Sequence, residues 1–267
     1  GGDFTNYRGF AVNRIVRLNV DGTIDYNFTV GSGAGSPIYA MMLRPNGKIL
    51  IAGAFTTYNG TTINRLARLN SDGTLDNSLS IGTGFNNTVF DIAVQSDGKI
   101  LAGGNFTRYS GTVAGRITRL NANGTIDTSF HAGIGFNQNI YMVRLQPDGK
   151  ILVGGDFTKF NGQTVNRVAR LNADGSIDNT FVIGTGANNT VYGIDVQTNG
   201  KVIIAGNFTM YHDTLRNRII RVNSDGSVDT SFHIGTGADN IITRVYLQPD
   251  GKIVAVGYFQ NYNGNSN

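Results

Sequence analysis

Phenylalanine returns every 51 residues, at Phe4, Phe55, Phe106, Phe157, Phe208 and Phe259, with no insertion or deletion between copies. A strict period of this length restricts the chain to a tandem array, either a solenoid or a propeller, because one unit cannot bury its apolar faces alone. Residues that recur in every copy are therefore read as scaffold. A local function is expected where the copies differ, or on a surface that the array builds as a whole.

Within one repeat the pattern is that of short strands. Residues 191–197 carry apolar side chains at spacing two toward their end, the signature of a strand. The dipeptide Asn199-Gly200 follows, and it recurs as Asn46-Gly47, Asp97-Gly98, Asp148-Gly149 and Asp250-Gly251. Such pairs supply the positive φ of a two-residue hairpin turn. The next run, 201–208, is continuously apolar, as expected of a strand covered on both faces. A polar loop over 209–217, a third strand over 218–223 and a fourth around 228–234 complete the repeat. Four antiparallel strands in 51 residues make one propeller blade. The chain carries 37 glycines and only four prolines and shows no helical period, which fits an all-β fold.

The expected architecture is a β-propeller of four-stranded antiparallel blades in one domain over residues 1–267. Complete repeats run over 38–88, 89–139, 140–190 and 191–241. Residues 242–267 supply strands one and two again, and residues 1–37 supply the end of strand two with strands three and four. Joined, they make one composite closing blade and a total of five. Residues 1–12 and 256–267 then duplicate each other, so one copy must be displaced; the alternative is an excerpt of a larger ring. The opening Gly1-Gly2-Asp3-Phe4-Thr5 falls inside a repeat and shows no leader pattern, which reads as a mature product or an excerpt.

Composition narrows the chemistry. With no cysteine, disulfides, thiol catalysis and cysteine-ligated metal are excluded. The net charge of +4 is not gathered into a basic tract, so nucleic acid is not an expected partner. No apolar run is long enough to span a bilayer, so membrane insertion is not expected.

The longest recurring motif is Gln-x-Asp-Gly-Lys-Ile-Leu-x-Gly-Gly-x-Phe-Thr, at 95–107 and 146–158. It continues as Arg-x-x-Arg-Leu-Asn-x-Asp-Gly-x-x-Asp-x-x-Phe over 167–181. This pair of motifs resembles the delta-60 repeat, a family of bacterial tandem repeats assigned to β-propellers. Departures are few: Leu79 stands for the last Phe, Asn123 for an Asp, and Tyr258-Phe259-Gln260 ends the series. The resemblance implies a large secreted or surface-attached bacterial protein and no defined activity.

Four sets of residues are candidates for function. Asp25, Asp76, Asp127, Asp178 and Asp229 recur after a glycine turn. Their oxygens are a possible calcium set, but a short one, and side chains that fix the local turn are the favoured reading. In the pairs Arg14/Arg17, Arg65/Arg68, Arg116/Arg119, Arg167/Arg170 and Arg218/Arg221 the two members, three apart on a strand, point to opposite faces, so half the set reads as partners of those aspartates between blades. A recurring aromatic, Tyr7, Tyr58, Tyr109, Phe160, Tyr211 and Tyr262, falls just after the second strand on blade-edge loops, where it either covers the loop end of a blade or grips a partner. Two variable rows on strand one, Ala40, Asp91, Met142, Gly193, Arg244 and Met42, Ala93, Arg144, Asp195, Tyr246, are expected to line a central channel. Candidate ligand contacts are therefore Tyr58, Tyr109, Phe160, Tyr211, Asp91, Arg144, Asp195 and Arg244. His131, His212 and His233 are too scattered for a metal triad, and no catalytic motif is present, so no catalytic residue, metal or cofactor is assigned.

The expected role is a non-catalytic binding, adhesion or display module, secreted or on the bacterial surface, whose partner is a protein or cell surface rather than a small molecule. The alternatives are a structural spacer in a longer surface protein, or an enzyme whose site is built from Asp91, Arg144, Asp195 and Arg244.

Overall fold

The computed structural model describes residues 1–266. Strands, turns and bends make up its regular structure, and no helix occurs among the described residues. The chain divides into two compact bodies, 1–127 and 128–267.

Each complete repeat forms a three-stranded antiparallel sheet. In the repeat starting at Val191 the inner strand Val191–Val196 pairs with the middle strand Val202–Gly206, which pairs with the outer strand Ile219–Val222. The first body holds two such sheets, Ile38–Leu43/Ile49–Gly53/Leu66–Leu69 and Val89–Val94/Ile100–Gly104/Ile117–Leu120. The second holds Ile140–Leu145/Ile151–Gly155/Val168–Leu171 and the Val191 sheet. The second body also holds a hairpin, Ile242–Leu247/Ile253–Gly257.

The middle strand is the core of every complete repeat. Val202 and Ile204 pack on one side with Met142, Leu152 and Val168, while Ile203 and Ala205 pack on the other with Ile242 and Val245. Burial on both faces explains why this run is apolar at successive positions. Its last residue is glycine in all five copies for a steric reason. A Cβ at Gly206 would sit 2.1 Å from the Thr190 carbonyl oxygen, where the inner strand bulges between Val191 and Gly193.

Local details depart from the sequence reading. The Asn-Gly turn is a three-residue loop rather than a two-residue one. Gly200 is left-handed at φ +82°, its N–H donates to Gln197 O, and Gln197 N–H donates to Lys201 O. The Asn199 side chain accepts from Lys201 N–H instead of adopting positive φ itself. The polar loop holds a small hairpin of its own, Met210–Tyr211 with Thr214–Leu215, turned by left-handed His212 and Asp213. The fourth strand shrinks to a single bridge, Val222 to Val228, because Asp229 diverts the chain into a side-chain-capped turn.

The expected composite closing blade is not among the pairings of the described residues. The middle strand Ile253–Gly257 has no third strand, and Val254 and Val256 are 40% and 45% exposed. Among the described residues the head's outer-strand segment, 15–18, pairs only through the isolated bridge Leu18 to Ile24, although Ile15 and Phe28 pack against Ile51, Ala67 and Leu69. Within the first body Gly2 N–H donates to Arg14 O, as Gly206 N–H donates to Arg218 O in the second. Each duplicate also folds as its own hairpin, Asn6–Tyr7/Phe10–Ala11 and Asn261–Tyr262/Asn265–Ser266.

Candidate functional site

The recurring aspartates are the hubs of the frame. Asp178 Oδ2 accepts from Arg170 Nε at 2.6 Å and from Lys150 Nζ at 2.8 Å, while Oδ1 accepts from Thr180 Oγ1 and N–H. Asp76 and Asp229 repeat the pattern with Arg68/Lys48/Ser78 and Arg221/Lys201/Ser231. The arginine therefore meets the aspartate of its own repeat, not that of a neighbour. It ties neighbours differently, by donating from Nη1 to a turn carbonyl one repeat on: Arg17 to Ser71, Arg68 to Ala122, Arg170 to Ser224. The oxygens proposed for calcium thus serve these donors, and Asp21, Asp72, Asp174 and Asp225 accept from the Thr or Ser two residues on.

This network sets the acid response. Burial pulls the Asp178 and Asp76 carboxyls up, but bonds from lysine, hydroxyl and arginine outweigh it and hold both far below the ordinary aspartate range. Asp229 is held down by Lys201 and Ser231 first. Because the folded values lie below the unfolded ones, the unfolded chain binds more protons in acid. The stabilisation is complete above the unfolded value of about 4 and is lost as pH falls through the folded values. Urea midpoints measured against pH should be level near neutrality and drop below about pH 4. Asp178→Asn should make that drop shallower.

The first arginine of each pair plays another part. Arg14, Arg65, Arg116, Arg167 and Arg218 all adopt left-handed backbone, φ +65° to +70°. Both backbone groups of Arg218 are used there, N–H to Phe208 O and O from Gly206 N–H. This residue turns the chain into the outer strand.

The predicted ligand contacts fall elsewhere than expected. Tyr58, Tyr109, Phe160 and Tyr211 are core residues, 0–2% exposed, and Tyr58 donates its hydroxyl to Gly73 O at 2.7 Å. They close the interior of each repeat and present no ring on a loop. The variable rows are packed rather than open: Ala40, Asp91, Ala93 and Met142 are buried, and a Cβ on Gly193 would meet Val245 N at 3.1 Å. Asp195 accepts from Leu247 N–H at 2.8 Å, so it stitches two inner strands together. Arg244 donates to Tyr192 O at 2.9 Å, and Arg144 to Val143 O at 3.1 Å. Tyr246 alone of these rows is strongly exposed.

A different row reaches the surface. Position two of the inner strand is Tyr39, Phe90, Tyr141 and Tyr192 in the four complete repeats. The inner-strand bulge sets this position outside the ladder, since Ile140 and Met142 pair with successive residues Gly155 and Gly154. In the second body the Tyr141 and Tyr192 rings lie 5.1 Å apart at 43°, both half-buried. In the first body Tyr39 and Phe90 lie 5.6 Å apart at 49°. The tyrosine pair has a polar edge. Tyr141 OH donates to Asp156 Oδ2 at 3.2 Å and accepts from Asn139 Nδ2 at 3.0 Å. Burial first, and the nearby Asp156 carboxylate, push the Tyr141 hydroxyl pKa up, so it stays protonated and able to donate. Asp156 Oδ1 has no hydrogen-bond partner among the described residues. Two tilted aromatic faces beside an amide and a carboxylate suit a ligand with an apolar face and hydroxyl or amide edges. The spacing of 51 contained this row, but alternation hid it, because a bulge reverses which face a residue takes.

The profile of a family described as "Domain of unknown function (DUF5122) beta-propeller" matches residues 1–28, 44–79, 95–130, 146–181, 197–232 and 248–267. This agrees with the β-propeller repeat that the motif implied. A search of curated proteins finds no match. Among solved structures the chain is similar to the extracellular domain of BT4673 from B. thetaiotaomicron. They share 18% identity at TM-score 0.54, over 87% of this chain and 27% of that one. The extracellular domain of BT3049 from the same organism gives 13% identity and TM-score 0.52, over 90% of this chain and 27% of that one. The Xanthomonas campestris gluconolactonase XC5397 gives 14% identity and TM-score 0.50, over 91% of this chain and 75% of that one. The chain thus spans about a quarter of the length of the two Bacteroides domains, and likeness at these identities shows a shared fold.

Proposed function

Because the chain belongs to the DUF5122 β-propeller family, we propose that it is a non-catalytic binding module, secreted or displayed on the bacterial surface, whose partner is a protein or cell-surface polymer. The observation that carries this reading is the Tyr141–Tyr192 pair with Asn139 and Asp156 at its edge. Rigid aromatic side chains bury much area at little entropic cost, so they serve as anchors for an extended partner. The extracellular placement is supported by two similar structures that are themselves extracellular domains.

The test is binding of the chain to whole bacterial or host cells and to a glycan panel. Tyr141→Ala combined with Tyr192→Ala should weaken binding at least ~10-fold, about 1.4 kcal/mol. Its melting temperature should stay close to the parent's, because both rings are half-exposed. If binding survives in that variant and is lost instead in Arg144→Ala with Asp195→Ala, the inner-strand rows hold the site and the aromatic reading fails.

A further inference from the structure

Asp76, Asp178 and Asp229 each hold a lysine and an arginine. Asp195 is half-buried and holds neither. Its Oδ1 accepts from Val196 N–H at 3.0 Å and its Oδ2 from Leu247 N–H at 2.8 Å, and no lysine, arginine or histidine pairs with it among the described residues. Two backbone donors thus fix the carboxylate in place without supplying a counter-ion. Withdrawing a carboxylate from water unpaired is costly, so a fold that keeps one there holds it ready for a cation from outside.

Asp195 opens on a crevice of about 370 Å³ within the second body, lined also by Val196, Gln197, Leu247, Gln248 and Pro249. Gln197 buries its Oε1 with no hydrogen-bond partner among the described residues. An amide oxygen only accepts, so what it lacks is an N–H or O–H donor. The glutamine recurs as Gln95, Gln146 and Gln248, whereas the place of Asp195 is taken by Met42, Ala93, Arg144 and Tyr246 in the other copies. The carboxylate is therefore what this one copy adds. Tyr192 stands near the start of the inner strand Val191–Val196 and Gln197 just beyond its end, roughly 16 Å along an extended chain. The crevice is thus a separate place from the tyrosine pair, and its reading does not rest on that pair.

We propose that this crevice binds an alkyl guanidinium or ammonium group, the chemistry shared by small organic amines and by arginine or lysine side chains. The N–H donors of such a group serve the remaining lone pairs of Asp195 and the Oε1 of Gln197 together. Its carbon stem lies along Val196, Leu247 and Pro249, as such stems cover apolar walls while the charged head meets its partner. A bare metal ion suits the place less well. Calcium takes about 6–8 oxygens, and the volume fits a group of several heavy atoms rather than one ion.

The test is titration of the folded 267-residue chain with n-butylguanidinium, n-butylammonium and, separately, calcium, read by calorimetry and amide chemical shifts. One of the organic cations should saturate below ~10 mM, within reach of a ligand of this size. The shifts should centre on residues 195–198 and 247–251. Asp195→Asn keeps an acceptor for Leu247 N–H and should weaken that binding at least ~10-fold. Gln197→Met removes an acceptor that the fold leaves unserved, so binding should weaken several-fold while the melting temperature holds or rises. A glutamine kept for structure alone would show the reverse, a lower melting temperature with unchanged binding. A pentapeptide amide with one central arginine reads the source of the cation. Binding at least ~10-fold tighter than that of butylguanidinium assigns it to a partner chain, and equal or weaker binding to a free amine. Calcium that saturates where neither organic cation does overturns the proposal. So does cation binding that Asp195→Asn and Gln197→Met both leave unchanged, or no saturable binding at all.

Discussion

Asp178→Ala is expected to destabilise the fold by about 3–5 kcal/mol, the loss seen when one partner of a buried ion pair is removed. The substitution strips Arg170, itself buried, of its carboxylate, and it frees Lys150, Thr180 Oγ1 and Thr180 N–H at the same time. Arg170 also reaches Ser224 O and lies over the Phe181 ring at 4.6 Å, so its displacement loosens the next repeat as well. Denaturant titration and a melting curve read the loss, which should lower the melting temperature by roughly 6–20 °C. Asp178→Asn keeps an acceptor for Thr180 and should fall between the variant and the parent. A variant that melts like the parent but loses calcium binding by calorimetry would reverse the assignment of this residue to the frame.

Phe208→Ala is expected to cost a similar amount, about 3–5 kcal/mol, as deletion of a large core ring does. Phe208 is fully buried and packs with Val191, Ile194, Val202 and Ile204, its ring 6.3 Å from that of Tyr211. None of these neighbours can close the space, because both middle-strand faces are already committed to packing. The adjacent Tyr211 provides an internal contrast. Its hydroxyl is buried without a hydrogen-bond partner among the described residues, while that of Tyr58 donates to Gly73 O. Tyr211→Phe should therefore be neutral or stabilising, and Tyr58→Phe should cost about 1 kcal/mol, the net worth of one hydrogen bond. Phe160 shows that the position accepts phenylalanine.

What the sequence revealed was the frame. The 51-residue period, the buried middle strand and the structural role of the Asp–Arg pairs were all legible, because each depends on local pattern repeated several times. The partner of each arginine was misread, since a face rule for isolated strands cannot tell a same-repeat contact from one between repeats. Tyr58, Tyr109, Phe160 and Tyr211 looked like loop anchors because the small hairpin that folds them inward is two residues per strand, too short to show periodicity. The Tyr141–Tyr192 pair was missed for the opposite reason. It lies in a strand whose alternation was easy to read, but the bulge after Ile140 and Val191 changes the face, and only Gly155 and Gly206 opposite hint at it. Asp156 and Asn139 join the site from separate segments, which no single-strand pattern could bring together.

The arginine that spans neighbouring repeats has a consequence for lineage. Arg17, Arg68 and Arg170 each reach a backbone carbonyl 54 residues ahead, an acceptor that every amino acid supplies. The joint is therefore indifferent to which copy stands on its far side. A gene encoding such a chain can gain or shed whole copies by unequal recombination, and each new junction is chemically the same as the old ones. Substitutions at Tyr141 or Asp156 can accumulate in one copy without disturbing that joint. Copy number and surface identity are thus free to evolve separately, and how many copies stand in a row is written in no single one of them.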